Sequence, residues 1–202
     1  MKLYYSPGAC SLSPHIALHE AGLAHTPVLA STKSHKLQDG TDYYGINPLG
    51  YVPLLELDNG ERLREGPAIV QYIADQVPDK QLAPANGTLA RYRLQEWLTF
   101  IGTELHKGFS PWLWHKETAD STRQAVKAKL AVRFAEMDAV LSRSDFLAGR
   151  YSVADAYGFT IVNWSNLLGI PLTAYPHLQA WMARVAARPQ VQAALRAEGL
   201  LA

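Results

Sequence analysis

The chain has a single cysteine, Cys10, in 202 residues. This excludes an internal disulfide, a paired-cysteine redox motif and a cysteine-rich zinc site together. Net charge is also scarce. Nineteen Lys and Arg against eighteen Asp and Glu leave +1, too weak a field to hold a phosphate backbone or an anionic bilayer, so neither nucleic acid nor membrane is an expected partner. No Gly-rich phosphate loop is present, and His15, His19, His25, His115 and His177 show no metal-ligand spacing with carboxylates, so no metal is expected. Residues 156–183 carry no charge, but Asn163, Asn166, Gly169, Pro171 and Pro176 interrupt them. They read as buried core rather than a membrane span. Pro7 and Pro14 break the first residues before a signal-peptide core can form, so a cytoplasmic location is expected.

What is present is a chain with 48% hydrophobic residues and two kinds of patterning. Residues 1–80 hold six Lys and Arg against nine Asp and Glu, and the remainder thirteen against nine. The shift falls at a Pro-, Gly- and Asn-rich linker, residues 77–87. Two domains are expected, 1–80 and 88–202. In the first, strand candidates at 2–5, 27–30 and 52–57 are joined by a helix opened by Ser13-Pro14 and stopped at Gly22. A hairpin at Asp58-Asn59-Gly60 and a helix from Pro67 follow. This order predicts a small α/β domain. The second domain reads as all helix. Leu94, Trp97, Leu98, Ile101 and Leu105 recur at helical spacing beside a small or polar stripe of Gln95, Thr99, Gly102 and His106. Further helices are expected at 121–141, 153–168, 176–188 and 189–198.

Four features carry chemistry. Cys10 follows a Ser-Pro-Gly-Ala turn and precedes a helix, where orphan N–H groups favour a thiolate; the alternative is a small buried hydrophobe. Val52-Pro53 precedes a strand. Trans is the default for an X-Pro bond, whereas a cis bond there would turn the Val52 N–H and C=O away from the sheet. Glu65-Gly66-Pro67 opens a helix whose N–H groups suit a carboxylate while Glu65 suits an ammonium, as in a peptide zwitterion; otherwise Glu65 serves only the helix dipole. His106 and Lys107 end a helix, either as dipole complements or as the wall of a cleft. Ser152 and Asp155 form a Ser-x-x-Asp capping box and belong to folding, not catalysis.

Taken together, residues 1–11, Gly50-Tyr51-Val52-Pro53, residues 65–69, Glu104-Leu105-His106-Lys107, the Ser152/Asp155 box and residues 192–200 closely resemble bacterial beta-class glutathione S-transferases over the whole chain. The resemblance implies an α/β thioredoxin-like N-terminal domain plus an all-α C-terminal domain, a homodimer, and glutathione as co-substrate bound between the domains. It makes Cys10 and His106 catalytic. It assigns glutathione contacts to Cys10, His35, Lys36, Tyr51, Val52, Pro53, Glu65, Gly66, Thr99, Thr103, Glu104, His106 and Lys107, with Pro53 in a cis bond. Three positions depart from the family pattern. The loop lysine falls at His35 with Lys36 beside it, the asparagine of the cleft helix is Thr99, and a serine common at 66 is Gly66.

The implied activity is joining glutathione to small electrophiles in detoxification. The aromatics of residues 109–115 suggest an apolar or planar second substrate. The alternative is a thiol transferase, reductive dehalogenase or peroxidase working through a Cys10-glutathione mixed disulfide. A non-catalytic ligand-binding protein is a third reading, against which Cys10, His106 and Glu65 all argue.

Overall fold

Strand β1, Lys2–Tyr5, sits at the centre of a four-stranded sheet because both its faces carry apolar side chains. The computed structural model describes Met1–Leu201. Parallel to β1 lies β2, Thr26–Leu29, and antiparallel to it β3, Leu54–Glu56, which pairs in turn with β4, Arg62–Arg64; the order is β2-β1-β3-β4. Tyr4 faces Leu54 across the ladder and packs with Ala30, Tyr43 and Val52, while Leu3 pairs with Leu55, both fully buried. Helix α1, Leu12–Ala21, makes the crossover from β1 to β2, and α2, Gly66–Asp75, follows the hairpin. This is the expected α/β order, with a single 3-10 turn, Tyr43–Gly45, in the long polar loop. The strand expected over 52–57 begins only at Leu54.

Helix α1 ends at a left-handed Gly22, as expected, but starts before Ser13. The Ser11 hydroxyl does not cap the helix. It accepts from the Ser6 N–H and donates to the Ser6 carbonyl, and Ser13 donates to the Cys10 carbonyl at 2.8 Å. A hydroxyl one residue inside a helix bonds backward to a carbonyl, and here that moves the start forward to Leu12.

The chain packs as two units, Met1–Ala83 with Ala187–Ala202, and Pro84–Ala186. Helix α9, Pro189–Ala197, therefore joins the first unit, against the expected division at 1–80 and 88–202. It lies on α1, held by Arg188 on both carboxylate oxygens of Glu20 at 2.6 and 2.8 Å. Buried Glu198, just past α9, accepts from the Gly8 N–H at 2.9 Å and pairs with His15 Nδ1 at 2.9 Å.

The second unit is helical: α3, Leu89–Phe100; a π-helical stretch, Ile101–His106; α4, Lys107–Phe109; α5, Asp120–Leu141; α6, Val153–Val162; α7, Trp164–Leu167; and α8, Pro176–Ala186. The single long helix expected through His106 thus changes pitch at Ile101, and the one expected over 153–168 breaks at Asn163. Leu94, Leu98, Ile101 and Leu105 are buried as the periodicity required. No helix is long and apolar enough to cross a membrane among the described residues.

Every residue of α6 is buried, so its first turn has no water to satisfy it. Asp155 does so instead. Its carboxylate accepts from the Ser152 N–H at 2.9 Å and hydroxyl at 3.1 Å, the Leu147 N–H at 3.0 Å and the Trp181 indole N–H at 2.9 Å. Burial raises its pKa, and the four donors oppose that rise. The capping box is formed, and Asp155 also ties α6 to α8. Asp155→Ala orphans several buried donors and should cost about 4 kcal/mol, well beyond the ~1 kcal/mol of a cap alone. Chemical denaturation measures this, and a loss below about 1 kcal/mol would show that the donors find other partners.

Candidate active site

In the first unit, the turn after β1 and the loop before β3 converge. Gly8 (φ 70°) and the Ser6–Ser11 bonds fold the turn, which leaves the half-buried Cys10 just ahead of α1. Its thiol donates to the Val52 carbonyl at 3.2 Å. The Val52–Pro53 bond is cis, against the trans default and as the resemblance implied. The Tyr51 carbonyl is fixed by the Tyr43 hydroxyl at 2.9 Å and Asn47 Nδ2 at 2.7 Å, while the Tyr51 side chain is exposed. Cys10, Tyr51, Val52 and Pro53 are therefore one local assembly.

His35 has a left-handed backbone (φ 52°), stacks on Tyr44 at 4.6 Å and reaches the Gly50 carbonyl through Nδ1 at 3.2 Å. Gly50 (φ 66°) must be glycine: a Cβ there would lie 2.7 Å from both the His35 and the Tyr44 ring. His35 is thus committed to shaping the loop. Lys36 beside it is exposed, with no ion pair or hydrogen bond on its ammonium among the described residues.

Glu65 precedes α2 with φ 69° and ψ 115°, a conformation unfavourable for a residue with a Cβ and of the kind that clusters at functional sites. Its side chain makes no cap bond and is exposed, and Gly66 is buried. Since Pro67 has no N–H, the Gly66 N–H is the first donor at this helix start.

In the second unit, His106 ends the π-helical stretch, a geometry that recurs at functional sites. Its Nδ1 lies 2.7 Å from the Tyr157 hydroxyl, and its ring meets the edge of Trp164 at 5.1 Å. Burial first, and the charge of Lys107 second, lower its pKa to about 4, so the imidazole is neutral at pH 7. Trp114 and Phe109 also meet Trp164 edge-on, at 5.6 and 5.9 Å, which makes Trp164 the hub of an aromatic group beside His106. Thr99, Thr103 and Lys107 are exposed, and Thr103 turns its hydroxyl back to the Thr99 carbonyl at 3.0 Å.

Glu104 is differently placed. Its carboxylate is taken by Lys129 at 3.2 Å and Arg133 at 2.8 Å, both on α5, and these bonds hold its pKa below the usual range. Reading the sequence missed Tyr157, Trp164 and Glu198. Only Tyr157 carried a signal, a hydroxyl within an otherwise apolar helix that needs a partner when buried.

Two family models match the chain: "Glutathione S-transferase, N-terminal domain" over residues 8–76 and "Glutathione S-transferase, C-terminal domain" over 100–189. Glutathione S-transferase GstA of Escherichia coli O157:H7 is 44% identical over 201 residues, covering 99% of this chain and 100% of that one. Among solved structures, a ternary complex of BphK, a bacterial GST, has a TM-score of 0.97 at 55% identity, over 99% of this chain and 100% of that one. A bacterial beta-class glutathione S-transferase of Sphingomonas chungbukensis has a TM-score of 0.95 at 46% identity over the whole of both chains.

The low pKa of His106 sets a pH dependence. An unfolded histidine takes a proton near pH 6.5, while folded His106 refuses it until about pH 4. Its contribution to stability is intact above the unfolded value and is lost as pH falls toward 4, by about 2.5 kcal/mol between pH 7 and pH 4.5. His106→Asn should flatten the fall in unfolding free energy between pH 7 and pH 4.5 by about that amount. An unchanged slope would mean that the folded imidazole protonates freely.

Proposed function

The chain belongs to the glutathione S-transferase family, and from that membership we propose that this transferase joins glutathione to small apolar or aromatic electrophiles, with Cys10 at the glutathione sulfur. The observation that carries the reading is the meeting of the Cys10 thiol with the Val52 carbonyl. It puts a nucleophilic sulfur against backbone that a peptide can pair with. A cysteinyl peptide on Val52 would bring its own sulfur to the Cys10 position.

The Gly66 N–H and Glu65 suit the two charges of a γ-glutamyl end, a carboxylate and an ammonium. Of the two loop candidates, Lys36 has the free charge for the peptide's other carboxylate, since His35 is engaged with Gly50 and Tyr44. Glu104 is reassigned from ligand contact to holding α5, because its carboxylate is already paired. Thr99, Thr103 and Lys107 remain open to ligand.

His106 is a poor base at pH 7 because its pKa is about 4. We assign the Tyr157 hydroxyl as donor to Nδ1, which would leave the proton of the neutral ring on Nε2 as a donor to an anionic sulfur. In conjugation the glutathione thiolate attacks the electrophilic carbon, a carbon–sulfur bond forms, and the leaving group departs with its electron pair. The aromatic group around Trp164 offers a planar apolar surface for such a substrate. A homodimer, a cytoplasmic location and a role in detoxification complete the proposal, on the pattern of the family.

A second reading, thiol transfer, is favoured by the partial exposure of the chain's single cysteine, which forms no disulfide. There the Cys10 thiolate attacks a glutathione-containing disulfide, expels the other thiolate and becomes a mixed disulfide, which a second glutathione thiolate resolves to oxidised glutathione. Either reading predicts one reversible glutathionyl adduct per chain after mild oxidation with glutathione, seen by intact-mass spectrometry and absent in Cys10→Ser. Turnover with a chlorinated aromatic electrophile against turnover with a mixed disulfide separates the two. His106→Ala should slow the preferred reaction about 10²-fold. An unmodified wild-type chain, or normal turnover of Cys10→Ser in both assays, would exclude Cys10 from the chemistry.

A further inference from the structure

Three histidines that sequence spacing did not connect meet in the first unit. His15 and His19 stand one turn apart on α1, and His25 follows the Gly22 stop, just before β2. Their ring centroids form a nearly equilateral triangle of 5.1, 5.3 and 5.3 Å. One nitrogen from each ring lies within 4.8 Å of the other two. From this geometry we propose that His15, His19 and His25 bind a divalent transition-metal ion of the zinc type.

The distances fit the ion. A tetrahedral zinc about 2.05 Å from each nitrogen sets imidazole centroids about 5.2 Å apart, the spacing already present, and the nitrogens about 3.3 Å apart. Closing the difference requires turning the rings about their side-chain torsions, with the backbone in place.

Proton placement fits as well. His15 is fully buried, and its Nε2 is a polar atom without a hydrogen-bond partner, an expensive condition that a metal bond would relieve. Its Nδ1 is held by the Glu198 carboxylate at 2.9 Å. With Nδ1 as donor, the lone pair is left on Nε2, and a carboxylate–histidine–metal relay results that raises ligand basicity and places a negative charge behind the ion. His25 repeats the arrangement, with Nδ1 on the Leu23 carbonyl at 2.9 Å and Nε2 left for the ion. The His19 ring makes no hydrogen bond among the described residues, so either nitrogen is available.

Three imidazoles and no thiolate favour zinc, copper or nickel over calcium or magnesium. Since His19 and His25 are only half-buried, an ion has an entry path and a fourth position open to water or an external ligand. The ion would fasten α1, the chain entering β2 and, through Glu198, the end of α9.

The test uses the full-length protein stripped with EDTA, exposed to Zn2+ and desalted. Wild type and Cys10→Ser should each retain one zinc per chain. His19→Gln and His25→Gln should each lose at least 10-fold in zinc affinity while keeping the circular dichroism of wild type. Co2+ should give the visible absorption of a tetrahedral nitrogen site. As a readout needing no variant, Zn2+ should shift the imidazole nuclear resonances of His15, His19 and His25 among the seven histidines. Overturning results are a wild type that keeps no stoichiometric zinc, glutamine variants that keep as much, zinc lost with Cys10, or shifts confined to other histidines.

Discussion

A single buried carboxylate, Glu198, governs the first unit. Its two oxygens serve two different segments: one accepts from the Gly8 N–H in the turn that presents Cys10, the other holds the His15 ring on α1. Burying a carboxylate is costly unless each oxygen is matched, and here both are. The position of the thiol, the orientation of α1 and the docking of α9 are consequences of one charge being satisfied. Arg188 on Glu20 makes a second tie between the same two helices, partly exposed and therefore weaker.

Asp155 does the corresponding work in the helical unit. It caps α6, fixes the Leu147 backbone and holds Trp181, so one side chain specifies both where a buried helix begins and what packs on it. His106 depends on that helix for its Tyr157 contact. The π-helical turn matters as much, because it rotates the residues after Ile101 away from the regular continuation of α3. Folding determinants and site determinants therefore overlap: Tyr157 is a core residue of α6 and also holds the His106 ring.

Local signals were legible and long-range ones were not. The Ser152–Asp155 box, the Asn59-Gly60 turn and the Gly22 stop each follow from neighbouring residues, and each stands as read. The α1 start was misjudged because Ser11 turns to Ser6 rather than to the helix, a choice made by the turn and not by the helix pattern. Glu198 lies 183 residues from His15, and no periodicity could join them. Glu104 was read with its neighbour His106, but a helix face is decided by what packs on it, and α5 brings two cations there. His15 and His19 were set aside because no carboxylate shared a metal-ligand spacing with them. The third histidine, beyond a glycine stop, was not an obvious member.

The Glu198 contacts also bear on how the chain is made. The turn carrying Cys10 is synthesised well ahead of the carboxylate that secures it, 190 residues further along the chain. Until Glu198 has been made, the sheet and α1 can form, as N-terminal regions generally do first, but the thiol-bearing turn has only its own Ser6–Ser11 bonds. The finished setting of the thiol therefore waits on a segment made much later than the turn itself.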